Sequence, residues 1–366
     1  MKRFIPALLI LIVFAVSCDN GPVGIFASIG SESPIEYKGT EVFKKSTPAA
    51  VVSRNGTLYA VITTLWKKNG NTWEKATNLP SQAMYATSAA VTGTTLYVAF
   101  LDSNAHSLGV FSTTDDSNWT PVDITFPAND EQVQQLLAVN NKVFAVTTKA
   151  VDGKTQYNLY HLSSGSFVSL IRTGTNLFSL AYVGSTYYVA SGTTIWISTD
   201  LANFQESLTL ADDFFTSITS IGGKPTAVTA FGKVYWHEGG WYNTNALTKS
   251  SKNLYLHAPV EYNDTLFVAT NTVVRKTSSV TEVSPIAGYI ELAFPLSTTK
   301  TQRDDNSLVT ATNTVFSATI GGTALSMLTL ITENGKPTLY AGSVGNGLWS
   351  NRNENGSWLG WQRETD

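Results

Sequence analysis

Apolar residues recur along the chain in short runs that polar turn residues separate. The runs 58–62 (LYAVI) and 96–100 (LYVAF) are apolar at both odd and even positions. A strand with one wet face alternates apolar and polar residues, so these unbroken runs predict strands buried on both faces. Later runs are more polar, as in 72–77 (TWEKAT) and 203–208 (NFQESL), which is typical of strands at an outer rim.

A unit of four strands recurs along the chain. An apolar strand leads into a Gly or Asn turn, a second apolar strand, an aromatic-led strand, a polar turn and a last strand. The third strands are predicted to begin at Trp66, Phe111, Tyr160, Trp196, Tyr235, Val274, Phe316 and Trp349. Consecutive members lie on average about forty residues apart, which is the length of one blade of a β-propeller.

Eight copies of this unit predict an all-β fold, an eight-bladed β-propeller of four-stranded antiparallel blades over residues 46–366. Seven blades is the alternative, because the last two copies are closer together than the others. A pair of β-sandwich domains is a second alternative, since such domains also give short strands with frequent turn signals.

The N-terminal residues are typical of an export signal. Lys2 and Arg3 precede the uncharged run 4–16, and small residues follow it up to Cys18. This run is shorter than the roughly 20 apolar residues that a transmembrane helix needs, so residues 1–17 are interpreted as a removable signal peptide. Residues 18–45 are rich in Gly, Ser, Pro and Asn, and we expect a tether with one short strand at 35–43.

The sequence 15–18 (AVSC) resembles the lipobox of bacterial lipoproteins. In that family an aliphatic residue and small residues precede a Cys that is lipidated and becomes the mature N-terminus. Ala15 departs from the Leu that is usual at the first position. The resemblance implies that Cys18 is a lipidation site and that the chain is exported and anchored to a bacterial cell envelope, in either membrane and either leaflet.

Two turns between third and fourth strands resemble the Asp-box of sialidase-type (BNR-type) propellers, whose pattern is Ser-x-Asp, a short turn with Gly, and an aromatic residue. The matching residues are Ser112, Asp115 and Trp119 in one turn and Ser198, Asp200 and Phe204 in the other. Both turns lack the family's Gly. The resemblance implies a structural role, in which the carboxylate accepts turn N–H groups and the aromatic ring packs beneath the hairpin.

Charge and composition exclude several classes of function. The chain has 24 Lys and Arg against 27 Asp and Glu, so it offers no basic face to a nucleic acid. A single Cys cannot form an internal disulfide framework. The four His lie in different repeats without metal-ligand spacing, so we expect no metal site and no cofactor.

The expected function is a non-catalytic binding or scaffold module for a glycan or an envelope protein. A sialidase-like, carbohydrate-active enzyme is one alternative, and the resemblance implies that it would need three Arg converging on a substrate carboxylate. The family's early Arg-Ile-Pro signature is absent from this sequence. An envelope assembly factor resembling the propeller lipoproteins of outer-membrane machinery is the other, although their paired Gly and Asp-Gly signature is poorly matched. No catalytic residue is assigned.

The nine Trp lie in or beside hairpins of third and fourth strands, so packing between blades explains most of them. Trp241, Tyr242 and Trp361 adjoin Gly residues, and we take them as candidate ligand contacts. The long connections 102–108 and 150–156 join second and third strands and are candidate recognition loops.

Overall fold

The computed structural model describes residues 42–122, 131–174, 176–244, 254–263, 265–272, 288–293, 315–317, 320 and 324–366. They form one short helix, α1 (Val42–Lys45), and strands β1 to β29 in seven antiparallel sheets. Six sheets have four strands and one has five. No helix in the described part of the chain is long and apolar enough to cross a membrane.

Each sheet is a run of consecutive strands. Sheet 1 contains β1 (Ala50–Arg54), β2 (Thr57–Ile62), β3 (Thr64–Asn69) and β4 (Thr72–Lys75). Sheet 2 contains β5 (Tyr85–Thr92), β6 (Thr95–Leu101), β7 (Ser107–Thr113) and β8 (Thr120–Pro121). Sheet 3 contains β9 (Gln132–Val139), β10 (Lys142–Val151), β11 (Lys154–Ser163) and β12 (Ser166–Gly174). Sheet 4 contains β13 (Ser179–Val183), β14 (Thr186–Ser191), β15 (Thr194–Ser198) and β16 (Gln205–Thr209).

The remaining sheets follow the same order. Sheet 5 contains β17 (Phe215–Ile221), β18 (Lys224–Thr229), β19 (Val234–His237) and β20 (Trp241–Asn243). Sheet 6 contains β21 (Leu254–Tyr262), β22 (Thr265–Thr272), β23 (Gly288–Ala293) and β24 (Val315–Ser317). Sheet 7 contains β25 (Leu325–Glu333), β26 (Lys336–Ser343), β27 (Gly347–Glu354), β28 (Ser357–Trp358) and β29 (Gln362–Arg363), with β28 and β29 both paired to β27.

The sheets form a closed ring. The first strand of each sheet contacts the first strand of the next, and β25 of sheet 7 contacts β1 of sheet 1. Buried apolar clusters lie between neighbouring sheets, for example Tyr59 and Val61 of sheet 1 against Leu96 and Val98 of sheet 2. Each sheet is therefore covered on both sides by its neighbours, which is the architecture of a β-propeller. We call β1, β5, β9, β13, β17, β21 and β25 the inner strands.

The strand pattern is confirmed where the sequence is most apolar. All five residues of Leu58–Ile62 are buried. The outer strand β4 buries only Trp73 and exposes its other three residues. Apolar residues at both parities therefore mark the strands between two neighbouring sheets, and polar residues mark the rim.

The prediction of eight blades is wrong. The units led by Val274 and Phe316 were counted separately, but Phe316 lies on β24, the fourth strand of sheet 6. The third strand of that sheet is Gly288–Ala293, and Val274 lies outside the described residues. Long connections on both sides of this strand divide one sheet into two apparent repeats.

The propeller begins earlier than residue 46. Residues 42–45 form α1 rather than the end of the expected strand, and Phe43 is fully buried. Its ring centroid lies 5.0 Å from that of Trp66 and 5.7 Å from that of Trp73, at the seam between sheets 7 and 1. The predicted signal peptide, Cys18 and the tether up to residue 41 lie outside the described residues.

Candidate functional site

A central cavity of about 1030 Å³ lies inside the ring. The inner strands of all seven sheets line it, because each places one edge and alternate side chains toward the ring axis. No Lys, Arg, Asp or Glu is among its described lining residues. The wall is therefore a mixture of small apolar groups, hydroxyls, amides and aromatic rings without formal charge.

Some wall hydroxyls join one sheet to the next. Thr87, Thr216 and Ser326 are each the extra residue of a β-bulge near the start of an inner strand. The Thr87 hydroxyl donates to the Val133 carbonyl of the next sheet at 2.9 Å, and the Thr216 hydroxyl donates to the carbonyl of Leu256. The bulge turns each hydroxyl out of its own sheet, so it satisfies a carbonyl at the sheet junction.

In two sheets the residue after the bulge also makes a hydrogen bond to the next sheet, in this case as the acceptor. Ser88 accepts the Leu136 N–H at 2.9 Å, and Ser217 accepts the Ala258 N–H at 3.2 Å. A Thr-Ser pair on an inner strand thus donates one hydrogen bond to the following sheet and accepts another. These hydroxyls join neighbouring sheets and hold the wall together.

Other polar side chains on the same wall are uncommitted. They come from sheets 1, 3, 5 and 7 and from the connection that leads to sheet 4. They make no side-chain hydrogen bond within the described part of the chain: Ser53, Gln135, Asn176, Thr219 and Thr329. All five are partly accessible. They give the cavity hydrogen-bonding capacity on several sides at once.

One mouth of the cavity lies where the inner strands begin, and we call it the connection face. Three large apolar residues lie at this face. Their exposed fractions are 52% for Met84, 43% for Leu177 and 48% for Val344. Met84 and Leu177 immediately precede inner strands, and Val344 follows β26, whose end pairs with the start of β25. The rim of this mouth is therefore apolar.

Aromatic rings line part of the connection face. The ring centroid of Phe214 lies 5.9 Å from that of Phe231 and 6.3 Å from that of Tyr255. The Tyr255 ring lies 5.8 Å from that of His257. Phe214, Tyr255 and His257 all line the cavity. Partly exposed rings at a cavity mouth offer flat apolar faces with a polar edge.

The hairpin of β10 and β11 extends to this mouth of the cavity. Both strands have ten residues, against six in β2 and β3 of sheet 1. Tyr157 lines the cavity although it lies on a third strand, not an inner one. Burial, with a smaller contribution from the nearby Tyr157, raises the pKa of Tyr255. The hairpin thus adds a ring of sheet 3 to the cavity that Tyr255 of sheet 6 also lines.

A second cavity of about 360 Å³ lies at the seam between sheets 7 and 1, and charged groups line it. Lys68 contacts Glu333 at 2.9 Å and Glu364 at 3.2 Å. Glu364 also accepts hydrogen bonds from Trp73 at 2.7 Å and Ser350 at 2.6 Å. These groups satisfy one another, so this cavity is a joint between the C-terminal segment and sheet 1.

The two Asp-box-like turns have the same geometry. Asp115 accepts the backbone N–H groups of Ser117 and Asn118, both at 2.8 Å. Asp200 accepts those of Ala202 at 2.8 Å and Asn203 at 2.9 Å. Bonds from the following Asn hold the pKa of each carboxyl well below its usual range. Both carboxylates serve their own turns.

The first turn uses a different hydroxyl from the predicted one. Thr113 accepts the N–H of Asp116 at 3.0 Å, as Ser198 accepts that of Leu201 at 2.9 Å. Ser112 instead donates to the carbonyl of Thr120. Asp116 and Leu201, the residues directly after the two Asp, both have positive φ, 68° and 63°. Trp119 and Phe204 pack against the apolar clusters beneath.

The residue with positive φ contacts the preceding sheet in both turns. Asp116 accepts a hydrogen bond from Arg54 of sheet 1 at 2.6 Å, and Leu201 is buried in the cluster shared with sheet 3. The Tyr59 hydroxyl donates to Asp116 as well, at 2.8 Å. A side chain at this position therefore serves as an inter-sheet contact in both turns.

The proposed aromatic contacts lie away from the central cavity. Trp241 donates to the Ser207 hydroxyl at 3.0 Å, and its ring packs on Tyr188 of sheet 4. Tyr242 stacks on Trp236. Trp361 packs against the apolar cluster of sheets 6 and 7. All three are partly buried and none lines the central cavity.

The described Arg side chains do not converge in the cavity. Arg54 lies at the joint of sheets 1 and 2, and Arg352 and Arg363 line the seam cavity. The side chains of Arg172, Arg275 and Arg303 lie outside the described residues. The part of the chain that the structure describes also contains no group of three or more His, Cys, Asp and Glu placed to hold a metal ion.

Sequence reasoning missed the residues that shape the cavity. One signal was the repeated Thr-Ser pair, Thr87-Ser88 and Thr216-Ser217, on two inner strands. Tyr157 and Tyr255 are about a hundred residues apart in the sequence and line the same cavity only because the sheets form a ring. The length of the 150–156 connection did point to this hairpin, which extends both strands around the turn at Asp152-Gly153.

No protein-family model matches the chain, and no curated protein sequence matches it. Among solved structures, the WD40 β-propeller domain of Doa1 is 12% identical, with a TM-score of 0.53 over 86% of this chain and 96% of that one. The fold is a β-propeller. A structure from a study of two prolyl endopeptidases is 11% identical, with a TM-score of 0.53 over 89% of this chain but 51% of that one. The computationally designed Ika8 protein is 10% identical with a TM-score of 0.49.

Proposed function

We propose that this chain is an exported, lipid-anchored β-propeller of a bacterial cell envelope that binds a glycan or an envelope protein in its central cavity and catalyses no reaction. The observation that carries the proposal is the cavity itself, which all seven inner strands build and whose described lining carries no carboxylate, Lys or Arg. A large concave site whose polar groups are mostly hydroxyls and amides supports binding. The ionisable side chains in its described lining are His257, Tyr157 and Tyr255, and that lining contains no carboxylate, Lys or Arg to act with them in acid–base catalysis.

The alternative of a sialidase-like enzyme finds no support in the described cavity. Such an enzyme would hold its substrate carboxylate with converging Arg side chains, and Arg54 and Arg352 lie at sheet joints instead. The Asp-box-like carboxylates Asp115 and Asp200 are engaged by their own turns. Within the described residues, these Arg and Asp side chains thus have structural partners.

The anchor follows from the N-terminal sequence. An apolar run without charge ends in small residues and a single Cys, Cys18, in a composition that otherwise contains no Cys. Lipidation of that thiol would hold the propeller at a membrane surface while leaving the ring free to bind.

The anchor is tested with Cys18→Ser, using Ser17→Ala as a control that keeps a small residue before the Cys. We expect Cys18→Ser to remain folded, to lose acyl labelling and to leave the membrane fraction. Ser17→Ala is expected to behave as the wild type. Acyl labelling that persists in Cys18→Ser overturns the anchor.

The binding site is tested by blocking the cavity with Thr219→Trp, using Gln205→Trp on the outer strand β16 as the control. Retention on isolated envelope polysaccharide and cross-linking to envelope proteins are measured for both variants. We expect only Thr219→Trp to lose its ligand. Equal binding by both variants, or turnover of a glycoside by the wild type, contradicts the proposal.

A further inference from the structure

We infer that the ligand of the central cavity is an uncharged oligosaccharide, held at the connection face between Tyr157 of the β10–β11 hairpin and the aromatic rings of sheets 5 and 6. This inference rests on the proposed function and assigns the ligand class of the same site. Three properties of the described cavity lining support it: the absence of Lys, Arg, Asp and Glu, the uncommitted hydrogen-bonding groups and the aromatic rings.

Charge selects against acidic ligands. The described lining offers no Lys or Arg to pair with a carboxylate, sulfate or phosphate group. Moving an ionised group out of water without a partner is strongly unfavourable. A glycan bearing uronic or sialic acid therefore gains nothing here from its charge and loses hydration, while a neutral glycan is not penalised.

Hydrogen-bonding groups match a ligand rich in hydroxyls. Gln135, Asn176 and Thr219 are partly accessible side chains with no side-chain hydrogen bond in the described part of the chain. Gln135 lies on sheet 3, Asn176 in the connection that leads to sheet 4 and Thr219 on sheet 5, so they approach the cavity from different directions. A sugar presents donors and acceptors around its ring, and amides and hydroxyls can satisfy both kinds.

The aromatic rings provide the apolar contribution. Phe214 and Tyr255 line the mouth, and their ring centroids lie 6.3 Å apart. Tyr157, on the β10–β11 hairpin, also lines the cavity. The C–H faces of a sugar ring pack on flat aromatic faces, which lose little conformational freedom on binding. The cavity volume of about 1030 Å³ lies at the upper end of the range for small-ligand sites and leaves room for more than one sugar unit.

The alternative occupant, a protein segment, would use the apolar rim of Met84, Leu177 and Val344. Leu177 and Val344 of that rim also line the cavity, but apolar contacts there do not account for the uncommitted amides and hydroxyls of the same wall. Leaving such groups unpaired under an apolar side chain is unfavourable. The neutral glycan satisfies both parts of the site.

The test uses the full chain in detergent on an array of neutral gluco-, manno- and chito-oligosaccharides beside uronic-acid and sialic-acid glycans. We expect binding to neutral members only. Tyr157→Ala and Gln135→Ala should each weaken that binding about tenfold, which one aromatic or hydrogen-bonding contact accounts for. Tyr182→Ala and Gln205→Ala are the controls, since neither residue lines the cavity, and both should bind as the wild type.

Several outcomes overturn the inference. Equal or tighter binding of acidic glycans does so, as does neutral-glycan binding that neither Tyr157→Ala nor Gln135→Ala changes. If no glycan binds but Thr219→Trp abolishes cross-linking to an envelope protein, the ligand class is wrong and the proposed function stands. If no ligand of either class responds to Thr219→Trp, the proposed function fails as well. Circular dichroism of each variant shows that a loss of binding is not a loss of fold.

Discussion

The hydroxyl of Ser326 in sheet 7 donates a hydrogen bond to the backbone carbonyl of Pro48, just before sheet 1, at a distance of 2.5 Å. The same contact joins Thr87 to Val133 at another sheet junction. Both donors are bulge residues of inner strands. The junction that closes the ring therefore uses the same local device as a junction within the chain.

Ser326→Ala is expected to lower the free energy of unfolding by about 1 kcal/mol, because it leaves the Pro48 carbonyl without its donor. Ser53→Ala is the control, since Ser53 lies on the inner strand β1 and makes no such bond in the described residues. Urea denaturation followed by tryptophan fluorescence measures both. Equal destabilisation by the two variants would show that the inter-sheet bond adds no stability.

The fold class could be predicted from the sequence because strands buried on both faces are apolar at odd and even positions alike. Leu58–Ile62 is apolar at every position, and each of these residues is buried. The number of sheets could not be predicted from this pattern. Sheet 6 has long connections on both sides of Gly288–Ala293, and a count of repeats depends on connections of constant length.

The site was less readable than the fold. Nothing local distinguishes Ser326, which joins sheets, from Thr329, which faces the cavity on the same strand, because the difference arises from one bulge. Tyr157 becomes a cavity residue only because its hairpin is long enough to reach the mouth. Trp361, an aromatic residue next to Gly360, is partly buried and packs against the apolar cluster of sheets 6 and 7, and it does not line the central cavity.

Gly347→Ala is expected to destabilise the propeller more than Gly356→Ala. Both glycines have positive φ, 82° and 87°, so each substitution incurs about 1 to 2 kcal/mol of backbone strain. A Cβ on Gly347 would also lie 1.6 Å from the Phe43 carbonyl oxygen, whereas Gly356 has nothing within 4 Å. Thermal and urea unfolding measure the free energy of unfolding of both variants. The additional loss in Gly347→Ala over Gly356→Ala measures how much the packing of α1 on sheet 7 contributes to stability.

Equal losses for the two Gly variants would contradict this reading of the seam. Phe43→Ala provides an independent measure of the same contact. It removes a fully buried ring that packs on Trp66 and Trp73, and we expect a loss of about 3 to 5 kcal/mol. A small loss would mean that α1 contributes little to ring closure.

Asp116→Asn is expected to lower stability at neutral pH by about 1 to 3 kcal/mol, because buried Arg54 loses its counter-charge. Lys67→Met is the control: Lys67 also contacts Asp116, at 2.7 Å, but its side chain is 43% exposed and its loss should be small. Denaturation at fixed ionic strength compares the two variants.

The same joint predicts a pH dependence. Burial alone would raise the pKa of Asp116, but hydrogen bonds from Lys67 and Tyr59 and the charge of Arg54 lower it overall. A lowered folded pKa gives stability that is present above the unfolded value of about 3.9 and is lost as the pH falls through the folded value. We therefore expect the difference between wild type and Asp116→Asn to shrink below about pH 4. A difference that is constant with pH would show that the charge of Asp116 is unimportant.

Asp213 presents the opposite case. It is 7% exposed and its Oδ1 accepts the backbone N–H groups of Phe214 at 2.8 Å and Phe231 at 3.2 Å, which holds two loops of the connection face together. Burial raises the pKa of this carboxyl, against the effect of its hydrogen bonds. Asp213→Asn keeps an oxygen for both N–H groups and removes the buried charge, whereas Asp213→Ala leaves both N–H groups without their acceptor.

We expect Asp213→Ala to lose about 1 to 3 kcal/mol of stability and Asp213→Asn to be at least as stable as the wild type at pH 7. Because the folded pKa is raised, the contribution of Asp213 is fully favourable below its unfolded value of about 3.9 and is lost as the pH rises through the folded value. The advantage of Asp213→Asn should therefore grow as the pH rises from about 4 toward neutrality, as urea denaturation across that range would show. If the two variants are equally destabilised at every pH, the carboxylate acts through its charge, and the hydrogen bonds to Phe214 and Phe231 do not determine the stability of this face.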